Sequence, residues 1–312
     1  MVDGIIEVAE DGRHLSLCRG FLVVSQGNTE LGRVPLADVS ALVISANQAS
    51  ISKPILTALA AQKAVVICCG ATYLPSSISL PYCGNYESAH RMRKQIAAGL
   101  PLCKKIWKRL VQEKIANQAA VLHWRGQQAP AKALEIMKGK VRSGDPDNLE
   151  AQAARQYWPK VFRPGFVRDR AAQDENIFFN YCYTVLRSAV ARAIMASGLL
   201  PALGIHHRSR MNPYALVDDL MEPYRPLADS LVVSTVEENR GNIELTPAVK
   251  RSLARILRLD LQTSKGISPL AEVLQCLALS LAQCYEDKKE VLKFGKILLP
   301  ENTEAVTPCT LR

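Results

Sequence analysis

Short apolar segments alternate with polar turns over the first 85 residues of the chain. The segments cover residues 4–8, 14–18, 21–25, 31–36 and 39–44. Short strands at such close spacing favour a small sheet or sandwich. A helix over residues 54–62, with Ser52 as its N-cap, and a buried strand over residues 64–69 complete this predicted β region.

Apolar positions recur at helical spacing from residue 87 onward. The pattern predicts helices over residues 87–98, 102–124, 149–157, 174–198, 246–260 and 268–285. The dipeptide Trp158-Pro159 should end the helix that begins at residue 149. The predicted fold class is therefore α+β, with a small N-terminal β-sheet or sandwich domain (1–85), a larger all-α C-terminal domain (86–299) and a tail (300–312).

Composition is that of an ordinary globular protein. The 312 residues are 48% hydrophobic and 22% charged, which excludes a disordered or collagen-like chain and suits about two domains. No apolar run reaches the ~18 residues that a membrane span needs, and the first residues do not resemble a secretory signal. Nine cysteines without a matched CxxC pair give no support to a zinc or iron–sulfur site. We therefore expect a cytoplasmic protein with free thiols and no membrane partner.

Positive charge is concentrated in one segment of the chain. The net charge of +10 comes from residues 86–170, which hold eighteen Lys or Arg against seven Asp or Glu. Such a field attracts polyanions, and nucleic acid is the first of these to consider. Seven basic residues form the candidate DNA-binding surface: Arg91, Arg93, Lys94, Lys104, Lys105, Lys108 and Arg109. The alternative is an ordinary solvated helix face, which the scarcity of neighbouring acids weakens.

Three places carry residues that could do chemistry. Glu150 lies in the first turn of a predicted helix, where the helix dipole alone would favour an acid. His206 and His207 follow an apolar segment and could be metal ligands or merely hydrogen-bonded surface residues. Asp218, Asp219 and Glu222 lie in VDDLMEPYRP at spacings that bring them onto one helix face, although Glu222 could simply pair with Arg225.

Taken together, these residues indicate a divalent metal. A set of carboxylates with one imidazole suits Mg²⁺ or Mn²⁺. A metal beside a basic surface is what phosphodiester chemistry requires, since the ion polarises the phosphoryl oxygen and stabilises the attacking and leaving oxygens.

The order of these segments resembles a known family. The chain is similar, from about residue 5 to about residue 285, to the CRISPR-associated integrase, the metal-dependent endonuclease subunit of the spacer-acquisition complex. The similarity rests on four segments: DGRHLSLCRGFLVV, RVPLADVSALVIS, NIFFNYCYTVLRSAVARAIMASGLLPALGIHH and VDDLMEPYRP. The compact length and the DLMEPYRP form resemble relatives that accompany a single RNA-guided effector nuclease, as in type II systems.

The resemblance implies a specific set of metal ligands. The family's Glu, His and later acid fall on Glu150, His207 and Glu222, which would be both catalytic and metal-binding. His206 is the alternative imidazole if the alignment slips by one position. Asp219 matches a further acidic position, as a supporting or second-metal group. The family's fold, a small N-terminal β domain and a helical catalytic domain, agrees with the pattern of the chain.

The resemblance also implies partners and a reaction. Homodimers formed through the N-terminal region would flank a dimer of a small CRISPR-associated partner, on double-stranded and branched DNA. A 3′-hydroxyl would attack a phosphodiester, which needs no ATP, and the chain has no GxxxxGK[ST] loop. Two alternatives remain: a hydrolytic metal-dependent DNA nuclease, and a non-catalytic basic DNA-binding protein whose acids are all salt-bridged.

Overall fold

Two four-stranded sheets form the N-terminal part of the structure, a computed structural model that describes residues 4–70, 75–79, 81, 85–163, 165–207, 209–239 and 242–299. The strands are β1 (Gly4–Val8), β2 (Arg13–Cys18), β3 (Phe21–Gln26), β4 (Thr29–Pro35), β5 (Val39–Ile44), β6 (Ala49–Ile51), β7 (Val65–Cys69) and β8 (Pro75–Ser79). Helix α1 (Lys53–Ala61) connects β6 to β7. The five strands predicted before residue 45 and the helix after them are confirmed to within a few residues.

The two sheets differ in how they are covered. The first has the order β1-β5-β7-β8, with β1, β5 and β7 parallel, and the second has the antiparallel run β4-β3-β2 with β6 at its edge. Every residue of β5 is buried, as expected of a strand covered on both faces. Leu15 and Leu42 pack with α1 between the sheets, whereas Val43 and Ile67 belong to a cluster on the opposite face of the first sheet.

Helices dominate the chain from residue 88 to residue 287. They are α2 (Ser88–Ile96), α3 (Leu100–Trp124), α4 (Gln128–Lys140), α5 (Leu149–Val161), α6 (Asn176–Ala196), α7 (Ala215–Met221), α8 (Arg225–Glu238), α9 (Pro247–Ala254) and α10 (Leu270–Asp287). Helix α6 lies at the centre and contacts α7, α8, α9 and α10, so most of its length is buried. The predicted α+β fold class is confirmed.

Several predicted boundaries are wrong in detail. Helix α5 does not end at Trp158-Pro159 but continues to Val161, since buried Tyr157 and Val161 anchor its last turns and outweigh the hydrogen bond and the steric clash that Pro159 costs. The helical region also contains a small sheet of three strands, β9 (Asp260–Thr263), β10 (Gly266–Pro269) and β11 (Lys296–Ile297). The predicted tail, 300–312, lies outside the described residues.

Buried polar contacts join the β region to the helices. The carboxylate of Glu7 on β1 accepts a hydrogen bond from the hydroxyl of Tyr181 at 2.7 Å and pairs with the ammonium of Lys250 at 2.9 Å. These contacts fix the first sheet against α6 and α9. Among the described residues, none of the helices combines the length and the apolar character needed to cross a bilayer.

Candidate active site

Four elements bring the predicted site residues to one place in the helical region. Helix α3 contributes Trp107 and Lys114, and α5 begins with Glu150 in its first turn. The loop 204–207 carries both histidines and packs on α7 through Asp219. Helix α7 ends in a 3₁₀ turn, Glu222–Tyr224, whose Pro223 carbonyl accepts a hydrogen bond from buried Asn117 of α3 at 2.7 Å.

The loop before α5 fixes the position of Glu150. Asp145 and Asn148 both adopt left-handed backbone conformations, with φ of 49° and 51°. The carboxylate of Asp145 then accepts hydrogen bonds from the backbone N–H groups of Leu149 at 2.9 Å and Glu150 at 3.0 Å. The N-terminus of α5 is therefore capped by the side chain of Asp145, three residues before Asn148 at the N-cap position, and the Glu150 side chain is free of that task.

Lys114 lies between the two candidate carboxylate ligands. Its ammonium contacts Oε1 of Glu150 and donates to Oε2 of Glu222 at 2.6 Å. The other oxygen of Glu222 pairs with Arg225 at 3.0 Å, which is the ion pair that the sequence offered as an alternative role for Glu222. Burial alone would raise the pKa of Glu222, but Arg225 and Lys114 together lower that pKa to about 2. Burial likewise disfavours the charged form of Lys114, yet the carboxylates of Glu222 and Glu150 raise its pKa overall.

A buried carboxylate organises the histidine loop. Asp219 has no exposed surface and accepts backbone hydrogen bonds from Ile205 at 2.5 Å, His206 at 3.0 Å and His207 at 3.3 Å. It also bonds Nδ1 of His207 at 2.5 Å, and this contact raises the pKa of that imidazole. A carboxylate on one ring nitrogen fixes the tautomer and directs the lone pair of the other nitrogen outward, as in proteins where a histidine binds a metal.

Close packing at Gly204 makes this loop possible. A Cβ at that position would lie 2.2 Å from the carbonyl oxygen of His207 and 3.0 Å from Oδ2 of Asp219. Any side chain there would therefore push the loop off the carboxylate that orients His207.

The two histidines occupy different surroundings. His206 stacks on Trp107 with ring centroids 4.2 Å apart and an interplanar angle of 4°, and burial lowers its pKa. The side chain of His207 is 46% exposed and meets Trp107 edge-on. Both histidines are exposed, but Nδ1 of His207 is held by Asp219 whereas the ring of His206 is stacked on Trp107, so His207 has the better geometry for a ligand.

Asp218 does not join this group. Its carboxylate pairs with Arg187 at 3.0 Å and accepts a hydrogen bond from Asn212 at 2.6 Å. Successive residues of a helix point about 100° apart, so Asp218 and Asp219 serve different neighbours.

The donor set fits a divalent cation, although both of its carboxylates are paired with Lys114 in this structure. In the part of the chain that the structure describes, no three His, Cys, Asp or Glu side chains are already spaced for a metal. The observation that supports a fit is Lys114 itself, since one cation already bridges the oxygens of Glu150 and Glu222. Two carboxylates and an outward-facing imidazole nitrogen are suitable donors for Mg²⁺ or Mn²⁺.

The predicted DNA-binding residues divide into two groups. Arg93, Lys104 and Lys105 are exposed, and Lys94 and Lys108 are partly exposed. Arg91 instead pairs with Glu286 at 3.0 Å and donates to the Ser197 carbonyl, and Arg109 lies over the ring of Phe294. Lys104 is one turn from Trp107 on α3, so this basic face continues directly from the candidate site.

Sequence reasoning missed Lys114, Trp107 and Asp145. The spacing of Trp107, Val111, Lys114 and Gln118 puts all four on one buried stripe of α3. A lysine on an apolar stripe of a helix indicates a buried ion pair, because a buried ammonium needs an acid partner. Nothing in the sequence distinguishes Asp145 from Asp147 as the residue that caps α5, because the choice depends on the left-handed backbone conformations of Asp145 and Asn148.

Comparison with known proteins shows the family of the chain. The family model described as CRISPR associated protein Cas1 matches residues 6–246, which is more than half of the chain. The chain belongs to the Cas1 family. The chain is 38% identical over 291 residues to the CRISPR-associated endonuclease Cas1 of Neisseria meningitidis serogroup C (strain 8013), covering 93% of this chain and 95% of the relative. The resemblance noted in the sequence is thereby confirmed at the level of the family.

Solved structures share the Cas1 fold. A casposase bound to integration product superposes with a TM-score of 0.77 at 19% identity, and the match covers 92% of each chain. A Cas6-RT-Cas1–Cas2 complex superposes with a TM-score of 0.75 at 18% identity, covering 96% of this chain and 36% of the other. At these identities the likeness concerns the fold, and the chemistry must be argued from the residues of this chain.

Proposed function

We propose that the protein is a metal-dependent DNA integrase that inserts short DNA fragments into a CRISPR array. The observation that carries the proposal is the pair of side chains, Glu150 and Glu222, sharing one cation in a helical site beside an oriented imidazole, His207. Family membership supports a nuclease or integrase, since the Neisseria relative is named an endonuclease and the casposase neighbour is bound to an integration product.

Glu150, His207 and Glu222 would hold the metal, either Mg²⁺ or Mn²⁺. Bound there, the ion would supply Lewis acidity toward a phosphoryl oxygen and favour loss of the proton from the attacking hydroxyl. Asp219 orients His207, and Asp145 holds the start of α5, which carries Glu150. Arg225 binds one carboxylate oxygen of Glu222 and keeps it turned away from Lys114. His206 remains stacked on Trp107, where it supports the loop.

The reaction exchanges one phosphodiester for another. The 3′-oxygen of the incoming fragment forms a bond to phosphorus as the bond from phosphorus to a 3′-oxygen of the target breaks. The proton of the attacking hydroxyl passes through solvent to the released 3′-oxygen, so atoms and charge balance without ATP. The protein's part is to align the two strands and to stabilise negative charge on the transferring phosphate.

The basic face of α2 and α3 would bind the DNA backbone without reading its sequence. Arg93, Lys94, Lys104, Lys105 and Lys108 are available for this role, whereas Arg91 and Arg109 already have structural contacts. We further propose a homodimer formed through the N-terminal β region and joined to a dimer of a small Cas2-type partner, as the neighbouring complex with Cas2 suggests. Such a complex would work on the DNA of a prokaryotic cytoplasm, alongside an RNA-guided effector nuclease in a type II system.

A strand-transfer assay tests the proposal. The protein is incubated with branched DNA that mimics a half-integrated intermediate, with Mn²⁺ or with EDTA. Glu150→Ala, His207→Ala and Glu222→Ala are compared with the matched control Glu238→Ala, which removes an exposed acid of α8. We expect metal-dependent rejoining in the wild type and control, its loss in the three site variants, and unchanged DNA binding throughout.

Other outcomes identify the alternatives. Cleavage without joining, both with and without the small partner, would mean that water is the nucleophile and that the protein is a hydrolytic nuclease. DNA binding that is indifferent to metal and yields no product would leave a non-catalytic DNA-binding protein and overturn the site assignment.

A further inference from the structure

Four arginines and one acid line a cavity where α6 meets β8, α7 and α8. The cavity has a volume of about 40 Å³, and its charged lining residues are Arg168, Arg170, Arg187, Arg225 and Asp218. Arg170 is exposed, and the side chains of Arg187 and Arg225 are partly exposed, so the cavity is open to solvent. Cations held this close together repel one another and attract an anion.

Two of these arginines already have a carboxylate partner. Arg187 pairs with Asp218 at 3.0 Å, and Arg225 pairs with Glu222 at 3.0 Å. Each pair is neutral overall when its carboxyl group is ionised. The positive charge of the other two arginines is therefore not offset by either pair.

The other two arginines have no acid partner. Arg168 donates to the side-chain oxygens of Asn176 at 2.8 Å and Asn180 at 2.7 Å, and both of these amides are neutral. In the described part of the chain, neither Arg168 nor Arg170 forms an ion pair. Burial, together with the charges of Arg170 and Arg225, lowers the pKa of Arg168. A partly buried guanidinium without an acid is costly, because a charge removed from water needs an opposite charge.

Unused hydrogen-bond donors lie in the same cluster. The Nε atoms of Arg168, Arg187 and Arg225 are buried, and among the described residues none of the three has a hydrogen-bond partner. Native proteins pair nearly all buried polar atoms. Asp229 also attracts Arg168, but both of its carboxylate oxygens accept hydrogen bonds from tyrosine hydroxyls. The cluster therefore combines excess positive charge with unpaired donors, which together indicate an anion-binding site.

The chemistry and size of the cavity favour a phosphate group. Guanidinium groups bind phosphate through parallel N–H bonds, with a geometry that an ammonium cannot provide. A volume of about 40 Å³ holds only a few non-hydrogen atoms, which suits one phosphate group and excludes a nucleobase. Arg225 lines the cavity and also pairs with Glu222, a candidate metal ligand, so a phosphate bound there would lie close to the reacting one.

We infer that these four arginines form a binding site for a backbone phosphate of the DNA, close to the phosphate that reacts. This inference rests on the proposed function, which supplies DNA as the ligand. None of the four arginines belongs to the basic face of α2 and α3, so the site is a second, separate contact with the DNA backbone. It fixes the path of one strand past α6 without reading its bases.

Neutral phosphate analogues test this inference without metal or catalysis. A methylphosphonate replaces each backbone phosphate near the branch of the DNA in turn, and affinity is measured in EDTA by fluorescence anisotropy. The wild type is compared with Arg170→Gln, Arg168→Gln and the matched control Arg258→Gln, which removes an exposed arginine of the 3₁₀ turn Arg255–Arg258.

One phosphate should depend on the arginines of the cavity. We expect a methylphosphonate at that position to weaken binding by the wild type and by Arg258→Gln about fivefold or more. Arg170→Gln and Arg168→Gln should bind unmodified DNA more weakly by a similar factor and lose their sensitivity at that position alone, because the two changes remove the same contact.

The opposite results are equally specific. Sensitivity to every methylphosphonate that is the same in Arg170→Gln as in the wild type would overturn the inference, and this exposed residue carries the test if Arg168→Gln does not fold. Phosphorus NMR with inorganic phosphate is measured in parallel. Binding of that free anion through Arg168, without dependence on any DNA phosphate, would overturn DNA as the source of the phosphate.

Failure of the proposed function gives a different result. A protein that shows the coupling between one DNA phosphate and Arg170 but never rejoins DNA would contradict the integrase and support the phosphate site. A protein that rejoins DNA with Mn²⁺ but shows no such coupling would overturn the phosphate site and leave the integrase standing.

Discussion

Two buried carboxyl groups, two helical turns apart, differ in what surrounds them. Glu222 is 6% exposed and Asp229 is 2% exposed. Glu222 contacts Lys114 and Arg225, which lower its pKa to about 2, whereas Asp229 faces the hydroxyls of Tyr157 and Tyr183. Burial raises the pKa of Asp229 to about 7, although the two tyrosine hydrogen bonds oppose the shift.

The difference shows that direct ion pairs decide which of the two buried carboxyl groups remains charged. Arg225 and Arg168 also lower the pKa of Asp229, but Asp229 has no ion pair among the described residues, so burial prevails there and favours the protonated form. Glu222 is therefore prepared to bind a cation at neutral pH, while Asp229 serves the packing of α5, α6 and α8. Proximity to the candidate site alone would not have separated these roles.

Neutralising Glu222, the charged carboxyl group of the two, should have the largest effect on strand transfer. Glu222→Gln keeps the size and hydrogen-bonding capacity of the side chain but removes the charge that a metal needs. We expect strand transfer to fall by about 10³-fold or more while DNA affinity stays unchanged. Single-turnover rates on branched DNA measure this effect. A loss of less than about tenfold would contradict the role of Glu222.

The second prediction concerns the pH dependence of stability. Asp229 binds a proton in the folded protein up to about pH 7, while in the unfolded chain it loses that proton near pH 4. The unfolded state thus binds fewer protons between these values, so the free energy of unfolding should fall as the pH rises through this window. The total contribution is about 4 kcal/mol, from 1.36 kcal/mol per pH unit.

Urea denaturation at pH values from 4 to 8 measures this dependence. Asp229→Asn should remove the decline below about pH 6, because it has no proton to lose, whereas the raised pKa of His207 adds a decline of its own at higher pH. Glu222 acts in the opposite direction and only at the acid end, since its lowered pKa adds stability that is lost as the pH falls from its unfolded value near 4.5 toward about 2. A decline below about pH 6 that persists in Asp229→Asn would show that another group titrates.

A third, smaller effect should follow from Gly204→Ala. The added methyl group would lie 2.2 Å from the His207 carbonyl oxygen, so the loop must move away from Asp219. We expect strand transfer to fall about 10- to 100-fold, as when an orienting partner of a metal-binding histidine is lost. Gly99→Ala, at the start of α3, meets only Pro101 at 3.5 Å and is the matched control. Full activity of Gly204→Ala would show that the loop tolerates the shift.

The smallest effect is expected on the basic face of α3. Lys104→Ala should remove one phosphate contact. The slope of log DNA affinity against log salt concentration should then fall by about one, while the rate of strand transfer by the bound complex stays unchanged. Lys265→Ala, an exposed lysine between β9 and β10, should leave the slope unchanged. DNA affinity is measured at several salt concentrations. Equal slopes for both variants would place the DNA elsewhere.

Much of the fold could be predicted from the sequence because its signals are local. The alternation of short apolar segments with polar turns predicts the strands up to Ile44, and apolar residues at helical spacing predict α3, α6 and α10. Strand β11 and the exact end of α5 were missed because long-range pairing and packing decide them, whereas β9 and β10 form a local hairpin of two very short strands. At Pro159, buried neighbours outweighed the proline signal.

The candidate site could be predicted only in part. Glu150, His207 and Glu222 came from the family resemblance, and the residues alone left each open. The sequence did offer Arg225 as a partner of Glu222 and Asp219 as a supporting group, but it could not supply Lys114 between the glutamates. Lys114 lies 36 residues from Glu150 and 108 residues from Glu222 in the chain, so these contacts depend on tertiary packing rather than on any local pattern.

The most direct test of the central claim is crystallography of the protein with Mn²⁺, using the anomalous signal of the ion. We expect one peak about 2.1 Å from carboxylate oxygens of Glu150 and Glu222 and from Nε2 of His207. Clear density for Lys114 still bridging the two glutamates at saturating Mn²⁺, with no peak between them and His207, would contradict the account.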